Sequence, residues 1–264
     1  MNIGSISREL LNTLLSKYSN TLHTTVFDCV DSTNTRLIAL AQAGAPEGTV
    51  IAAAAQSAGR GRQGRSFFSP EGTGVYFSIL LKPDTFASDS VFITTAAAVA
   101  VCEAIEKNTQ LRAGIKWVND VMCNGKKVCG ILTQSSISDN GAVNSVILGI
   151  GINITEPPGG FPADIAEKAG ALFGGDSPEY IRETLTADTL ISLYGCYKSP
   201  DKKSFVNEYI RRSVLTGRTV TVLPHSGKSY TARVKGIDEQ CRLLVNTEDG
   251  IDTVLFDGEV SLIL

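Results

Sequence analysis

Four short strand patterns follow one another between residues 114 and 153, and they constrain the fold more than any other part of the sequence. The dipeptide NG at 124–125 separates two of them and is typical of a two-residue β-hairpin. The tripeptide DNG at 139–141 predicts the next turn. Strands joined by such short turns are antiparallel, because a parallel connection needs a dozen or more residues. A purely parallel sheet is therefore excluded.

Helical patterns on both sides of this meander predict an α+β fold with a mixed, largely antiparallel sheet. The meander strands are expected at 115–117, 121–123, 127–134 and 142–150. Further strands are expected at 49–56 and 75–81, and helices at 6–18, 32–44, 89–107, 177–197 and 205–212. Ser32 or Thr33 is the expected N-cap of the second helix. Its expected buried stripe is Leu37, Leu40 and Ala41.

Helical periodicity ends after Leu215, and short strand patterns occupy the rest of the sequence. They fall at 219–223, 230–237, 243–246, 253–256 and 260–264. This spacing predicts a small β-barrel, which must lean on the larger unit because so small a unit buries little surface alone. The expected domains are therefore 1–215 and 216–264.

Charge and hydropathy exclude several classes of protein. A net charge of −3 and a pI near 5.5 provide no global basic field for nucleic acid. No apolar stretch reaches the roughly 20 residues of a membrane span. Arg8 and Glu9 interrupt the apolar core that a signal peptide needs. The sequence therefore predicts a cytoplasmic protein without a membrane segment.

The cysteines do not form a metal-binding pattern. The chain has six cysteines without a CxxC pair, and only two histidines could join them. This set is unsuited to zinc. In a cytoplasmic chain the six thiols are expected to be reduced and buried as small apolar groups.

The sequence QSAGRGRQGR at 56–65 alternates arginines with glycines in a long loop. Glycines let a backbone approach an anion closely, and guanidinium groups supply permanently charged, bidentate donors. The spacing alone leaves two interpretations equal: a phosphate-binding loop, or a flexible basic loop that touches RNA. The residues concerned are Gly59, Arg60, Gly61, Arg62, Gly64 and Arg65.

The segments KWVND at 116–120 and KKVCGIL at 126–132 flank the predicted hairpin. Strand alternation places Lys127 on one face with Cys129 and Ile131. A lysine there is either a solvent-facing edge residue, as most lysines are, or a cation that points into a pocket. The pattern leaves both open.

The segment GIGIN at 149–153 ends the last meander strand with two glycines and an amide. Taken alone it indicates a bulge or close packing at a strand end. No GxGxxG opens a helix here, so a dinucleotide site is not indicated.

As a set, these segments resemble the biotin protein ligase family. The motifs occur in family order over almost the whole chain: DSTN at 31–34, QSAGRGRQGR at 56–65, FFSP at 67–70, KWVND, KKVCGIL, GIGIN, and DGEVSL at 257–262. The resemblance implies a ligase domain of the class II synthetase type and a C-terminal SH3-like barrel. It also implies that biotin is activated with ATP to biotinyl-5'-AMP and then transferred to a lysine of a biotin carboxyl carrier protein.

The resemblance assigns roles to individual residues. Lys127 and Arg62 are the implied catalytic residues, and Lys127 would bridge the biotin carboxylate and the α-phosphate. Ser32, Thr33 and Gln56 would hydrogen-bond the ureido ring or orient the loop. The implied biotin set is Ser32, Thr33, Asn34, Gln56, Gly59, Arg60, Gly61, Arg62, Lys127 and Gly130. The implied ATP set is Arg62, Arg65, Phe67, Asn119, Lys127 and Asn153. Mg²⁺ is expected on the ATP phosphates, with unknown protein ligands.

Three positions depart from the common family pattern: Val118 replaces a proline, Phe67 replaces a tryptophan and Cys129 replaces an alanine. Longer members carry an N-terminal DNA-binding winged helix, for which the 30 residues before DSTN are too few. The resemblance therefore implies no repressor activity and no DNA partner. The family includes monomers and dimers, so a homodimer stays open.

Two rival functions remain at this stage. A lipoate ligase would share the fold and the chemistry, but the dithiolane ring of lipoate needs only apolar walls, whereas DSTN and Gln56 offer polar partners. A noncatalytic RNA-binding protein would use the arginine loop and the barrel. The acidic pI and the lack of clustered aromatic residues in the barrel count against it.

Overall fold

The computed structural model describes residues 5–83, 90–138, 142–199, 201, 203–224, 228–256 and 259–262. The helices are α1 (Arg8–Leu14), α2 (Thr33–Gln42), α3 (Ser90–Asn108), α4 (Ile181–Lys198) and α5 (Val206–Arg211). The strands are β1 (His23–Val30), β2 (Thr49–Gln56), β3 (Gly74–Leu81), β4 (Gly114–Lys116), β5 (Asp120–Cys123), β6 (Lys126–Ile137), β7 (Val143–Asn153), β8 (Thr219–Leu223), β9 (Tyr230–Ile237), β10 (Leu243–Thr247), β11 (Asp252–Leu255) and β12 (Glu259–Leu262).

The large sheet has seven strands in the order β1-β2-β3-β7-β6-β5-β4. Only β1 and β2 pair in parallel, because α2 provides the crossover between them; the other pairs are antiparallel. The five-stranded sheet is antiparallel throughout, in the order β11-β10-β9-β8-β12. The expected α+β fold, with a mixed sheet and a small C-terminal SH3-like barrel, is confirmed.

The two faces of the large sheet have different coverings. One face packs on α3 and α4 and forms the main core, to which Phe77, Ile131 and Leu148 belong. On the other face Leu37 of α2 packs against apolar residues of β2, β3 and β7. Since α2 covers only one end of this second face, the rest of it is left to the loop between β2 and β3.

Most predicted elements form within a few residues of their expected bounds, but four expectations were wrong. Strand β1 was not predicted. The expected helix at 6–18 ends at Leu14 and is followed by a short 3-10 turn, and α4 begins at Ile181 instead of 177. Leu40 is 41% exposed, because the buried face of α2 runs through Leu37, Ile38 and Ala41 and leaves Leu40 on the outer side.

The cysteine expectation holds for only part of the set. Cys102, Cys123, Cys129 and Cys241 are buried. Cys29 is exposed on the edge strand β1, and Cys196 is half-buried. None of the helices that the structure describes has the length and apolar character to span a membrane. The predicted turn at 139–141 and the DG of the last motif, at 257–258, lie outside the described residues.

A buried arginine joins α3 to α5 and carries a stability prediction. Arg212 lies 2.8 Å from Glu106 and 2.7 Å from Glu208, and it donates to the Ala113 carbonyl at 3.1 Å. Its side chain is 6% exposed. Arg212→Met should lower the free energy of unfolding by about 2 to 4 kcal/mol, because both carboxylates lose a buried partner. Urea denaturation at neutral pH measures this loss.

Arg211→Met is the matched control, since Arg211 also pairs with Glu208 but is 67% exposed. It should cost about 0.5 kcal/mol or less. The hydrogen bond from Arg212 lowers the pKa of Glu106. The stabilisation from the Glu106–Arg212 pair is thus present at pH values above the ordinary pKa of glutamate. It is lost as the pH falls through the lowered pKa of Glu106. The difference in free energy of unfolding between wild type and Arg212→Met should become smaller below about pH 4. A difference that is constant with pH would contradict this.

Candidate active site

Two glycines form a flat floor in the middle of the second face of the large sheet. Gly151 of β7 pairs with Gly130 of β6, between Tyr76 of β3 and Asp120 of β5. Directly paired residues point to the same face. A Cβ atom would come within 2.8 Å of the Phe67 ring at Gly130 and within 2.6 Å of it at Gly151. Phe67 therefore lies on this glycine floor, where any larger residue would displace it.

Lys127 reaches the glycine floor because a β-bulge interrupts β6. Val121 pairs with Cys129, but Met122 pairs with Lys127, which leaves Val128 as an extra residue. The Lys127 Nζ atom lies 3.2 Å from the position that a Gly130 Cβ would occupy. The expectation that Lys127 shares a face with Cys129 was therefore wrong, because strand alternation does not continue through a bulge.

The ammonium group of Lys127 has a charged partner in this structure. Its Nζ lies 2.6 Å from Asp120 Oδ1 and 6.0 Å from the centre of the Phe67 ring. The side chain of Lys127 remains 34% exposed. Of the two interpretations of this lysine, the cation that points into a site matches the geometry.

The arginine loop, residues 56–65, forms a small hairpin around a cavity of about 460 Å³, called the arginine cavity below. Gly61 N donates to Arg65 O at 2.7 Å, and Phe67 N donates to Gly59 O at 2.9 Å. Residues 58–66 line the cavity together with Leu132 and Gln134 of β6, so all three arginines of the loop border it. These lining residues include no carboxylate, and the cavity therefore suits an anion.

Arg62 is the arginine that is tied to the sheet. Its Nη1 donates to Asn119 Oδ1 at 3.1 Å, and Asn119 Nδ2 donates to the Ile131 carbonyl at 2.7 Å. Gly130, Leu132 and Gln134 alternate along β6, so the glycine floor and the cavity lie on one face of that strand. Arg62 and Asn119, both expected in the ATP set, are thus brought together.

The DSTN residues hold the start of α2 to the sheet. Ser32 is the N-cap, with its Oγ 3.5 Å from Thr35 N. The Asn34 amide donates to Gln134 Oε1 at 2.9 Å, and its Oδ1 lies 2.6 Å from Ser78 Oγ. These polar groups are buried and bonded to the protein itself.

Gln56 joins α2 to the arginine loop. Its Oε1 accepts from Thr33 N at 2.9 Å, and its Nε2 donates to Ser69 Oγ at 3.0 Å. Ser69 Oγ in turn donates to Phe67 O at 2.9 Å. A Cβ at Gly59 would lie 2.7 Å from Ser69 Oγ, so this glycine is needed for close packing. The loop-orienting role is therefore visible, while contact with a ureido ring stays a prediction.

Asn153 lies at the end of β7, two residues beyond Gly151 and hence on the same face. It is buried, and its Nδ2 donates to the Gly170 carbonyl at 2.9 Å. Asn153 and Lys127 do not line the arginine cavity. The predicted residues thus form two neighbouring groups, one at the glycine floor and one at the cavity.

Sequence reasoning gave no role to three residues of this site: Asp120, Ser78 and Tyr76. Asp120 stands in KWVND and could have been found from the motif. Ser78 is a small hydroxyl residue in the otherwise apolar and aromatic strand GVYFSILL, which is a usable signal. The Tyr76 side chain is buried beside the floor, and burial raises the pKa of Tyr76 to about 12.

Metal ligands are not clustered in the part of the chain that the structure describes. It contains no group of three or more His, Cys, Asp or Glu side chains that could hold an ion.

Family comparisons agree with this geometry. Residues 26–153 match the model of the Biotin/lipoate A/B protein ligase family, and residues 215–262 match the Biotin protein ligase C terminal domain. The bifunctional ligase/repressor BirA of Bacillus subtilis is 33% identical over 91% of this chain and 74% of its own length. The biotin--[acetyl-CoA-carboxylase] ligase of Mycobacterium tuberculosis is 27% identical over 87% of this chain and 85% of its own length.

A solved structure extends the match to the backbone. The biotin protein ligase from Aquifex aeolicus in complex with biotin and ATP has a TM-score of 0.73 and 30% identity, with 91% of this chain and 98% of that chain covered. The family-model match over residues 26–153 includes both glycines of the floor, the arginine loop and Lys127. This chain is therefore a ligase that belongs to the biotin protein ligase family.

Proposed function

We propose that this ligase activates biotin with ATP to biotinyl-5'-AMP and transfers the biotinyl group to a lysine of a biotin carboxyl carrier protein. The observation that carries the proposal is the placement of Lys127 at the glycine floor, on the same face of β6 as the arginine cavity. Biotin and ATP repel each other as anions. A site that lines up fixed cations on one face brings both within reaction distance.

In the first step a biotin carboxylate oxygen attacks the α-phosphorus of ATP. The new bond is P–O, the bond from the α-phosphorus to the bridging oxygen breaks, and pyrophosphate leaves. Lys127 bridges the carboxylate and the α-phosphate, and Arg62 holds phosphate oxygens. In the free protein Asp120 pairs with Lys127, so the incoming anions share or replace that carboxylate.

In the second step the neutral amine of the carrier lysine attacks the carbonyl carbon of the mixed anhydride. The C–O bond to AMP breaks, an amide forms, and the amine proton is released to solvent. Negative charge again develops beside the phosphate, so the same cations stabilise it.

The other site roles are part of this proposal. Arg65, Phe67 and Asn153 bind the nucleotide, while Arg60 and the residues at the start of α2 bind biotin. Mg²⁺ would be held mainly through the phosphate oxygens of ATP, where it would neutralise part of their negative charge. Catalysis lies in 1–215, and 216–264 forms the second domain, because each contains its own sheet. A homodimer, the absence of a DNA partner and the cytoplasmic location stay predictions.

A lipoate-type ligase is the second candidate, because the family model covers both biotin and lipoate enzymes. The two differ in whether polar groups near α2 accept a ureido ring. In the structure those groups bond to one another through Gln56 and Thr33, so specificity needs a direct measurement.

ATP–pyrophosphate exchange measured in parallel with biotin and with lipoate distinguishes the two candidates. We expect biotin-dependent exchange and no more than background exchange with lipoate. Transfer to a carrier domain then tests the second step. Exchange with lipoate alone would replace the proposal by its rival. No exchange with either, together with tight, salt-sensitive binding of RNA, would contradict both ligase assignments.

A further inference from the structure

The indole ring of Trp117 ties the active-site sheet to the C-terminal sheet. Trp117 is buried, and its Nε1 donates to the Cys241 carbonyl at 2.9 Å. The two residues are 124 positions apart in the chain. This bond therefore joins the β4–β5 connection to the β9–β10 turn.

The conformation of the β9–β10 turn sets the position of the Cys241 carbonyl. Cys241 has a φ of +58°, the left-handed region that non-glycine residues rarely adopt. The Asp238 carboxylate accepts from the backbone N–H groups of Gln240 and Arg242, both at 2.9 Å, and lies 2.6 Å from the Arg242 guanidinium. The turn is thus held in one conformation by a local network.

A second bond holds the next residue. The hydroxyl of Tyr209, a fully buried residue of α5, donates to the Val118 carbonyl at 3.0 Å. Trp117 and Val118 are therefore fixed from two sides, by the barrel and by α5.

The next two residues of the segment contact the cations of the candidate site, Arg62 and Lys127. Asn119 accepts from Arg62 at 3.1 Å, and Asp120 pairs with Lys127 at 2.6 Å. The segment 117–120 thus has two residues that anchor it and two that set the position of the cations. A shift of the anchor would move both cations relative to the substrates.

We propose that Trp117 is a positioning residue of the ligase reaction. Through its bond to the barrel it sets Asn119 and Asp120, and thereby Arg62 and Lys127. The C-terminal barrel then serves the first half-reaction. The kinetic effect of Trp117 rests on the proposed function. The structural coupling of Trp117 to Arg62 and Lys127 does not depend on catalysis.

The kinetic test removes the indole N–H with Trp117→Phe, which keeps an aromatic ring. We expect the kcat of biotin-dependent pyrophosphate exchange to fall about tenfold with little change in KM, since displacements of about 1 Å can cost up to a hundredfold. In an Arg62→Ala background the same substitution should lower the rate by a smaller factor, about threefold or less, because one of the two cations through which it acts is already absent. Equal fold losses in both backgrounds would show a merely structural role and overturn the proposal.

The spectroscopic test uses the full chain, in which Trp117 is the only tryptophan. A ¹⁵N-labelled indole gives one NMR signal, and we titrate inorganic pyrophosphate as the anion. The indole signal should move in wild type and move less in Asn119→Ala, in which one of the two contacts to the cations is absent. A wild-type indole signal that stays fixed while loop signals move would refute the coupling. Coupling without any biotin-dependent exchange would instead refute the proposed function.

Discussion

Replacing Lys127 with alanine should lower biotin-dependent pyrophosphate exchange about a hundredfold or more, while the protein stays folded. Loss of one electrostatic donor to a transition state typically has an effect of this size. The cost in folding should be small, because the ion pair with Asp120 is partly exposed on both sides. Exchange rates and a thermal unfolding curve of the same preparation measure the two effects separately.

The neighbouring lysine is a matched control for this experiment. Lys126 is exposed on the same strand and donates to the Glu167 carbonyl. Lys126→Ala should leave exchange within about twofold of wild type. If Lys127→Ala also stays within a few-fold of wild type, Lys127 has no electrostatic role in adenylate formation.

The strands that the sequence predicts best are those that are buried on both faces. Strand β2 was expected at its observed bounds, and β3 differs by one residue, because a continuous apolar run bounded by glycine needs no tertiary context. Strand β1 reads HTTVFDCV and is largely exposed at the sheet edge. Its pairing with β2 depends on the α2 crossover, which no local pattern reveals.

The orientation of Lys127 marks a second limit. Alternation predicts the face of a strand residue only while the pairing register is regular. The extra residue Val128 is visible only when β5 lies beside β6. The motif singled out the lysine as a candidate, and periodicity assigned it to the wrong face.

The arginine loop shows the opposite case, in which residues that are grouped in the sequence also line one cavity. Alternating glycines and arginines left a phosphate-binding loop and a basic loop that touches RNA equally open, and the three arginines line that cavity. What the sequence could not show is how the loop is held. The bonds from Gln56 to Thr33 and to Ser69 join segments that no spacing rule connects.

Gly149→Ala should both destabilise the protein and abolish most activity, because its Cβ would overlap the Asn34 side chain. A Cβ atom at position 149 would overlap Asn34 Oδ1 and lie 2.8 Å from Asn34 Cγ. Asn34 is buried and cannot move without breaking its bonds to Ser78 and Gln134. Leaving such groups unsatisfied costs about 1 to 3 kcal/mol each, so we expect a loss of about 2 to 4 kcal/mol in urea denaturation.

Gly236→Ala is the matched control, because Gly236 also lies in a strand but has no neighbouring atom within 4 Å of its Cβ position. It should change the free energy of unfolding by less than about 1 kcal/mol and leave exchange activity intact. In Gly149→Ala the displaced asparagine moves the start of α2, and with it the bond from Thr33 to Gln56 that orients the arginine loop. The activity loss should therefore persist at temperatures where the variant is fully folded. Activity that recovers completely under those conditions would mean that α2 does not position the loop.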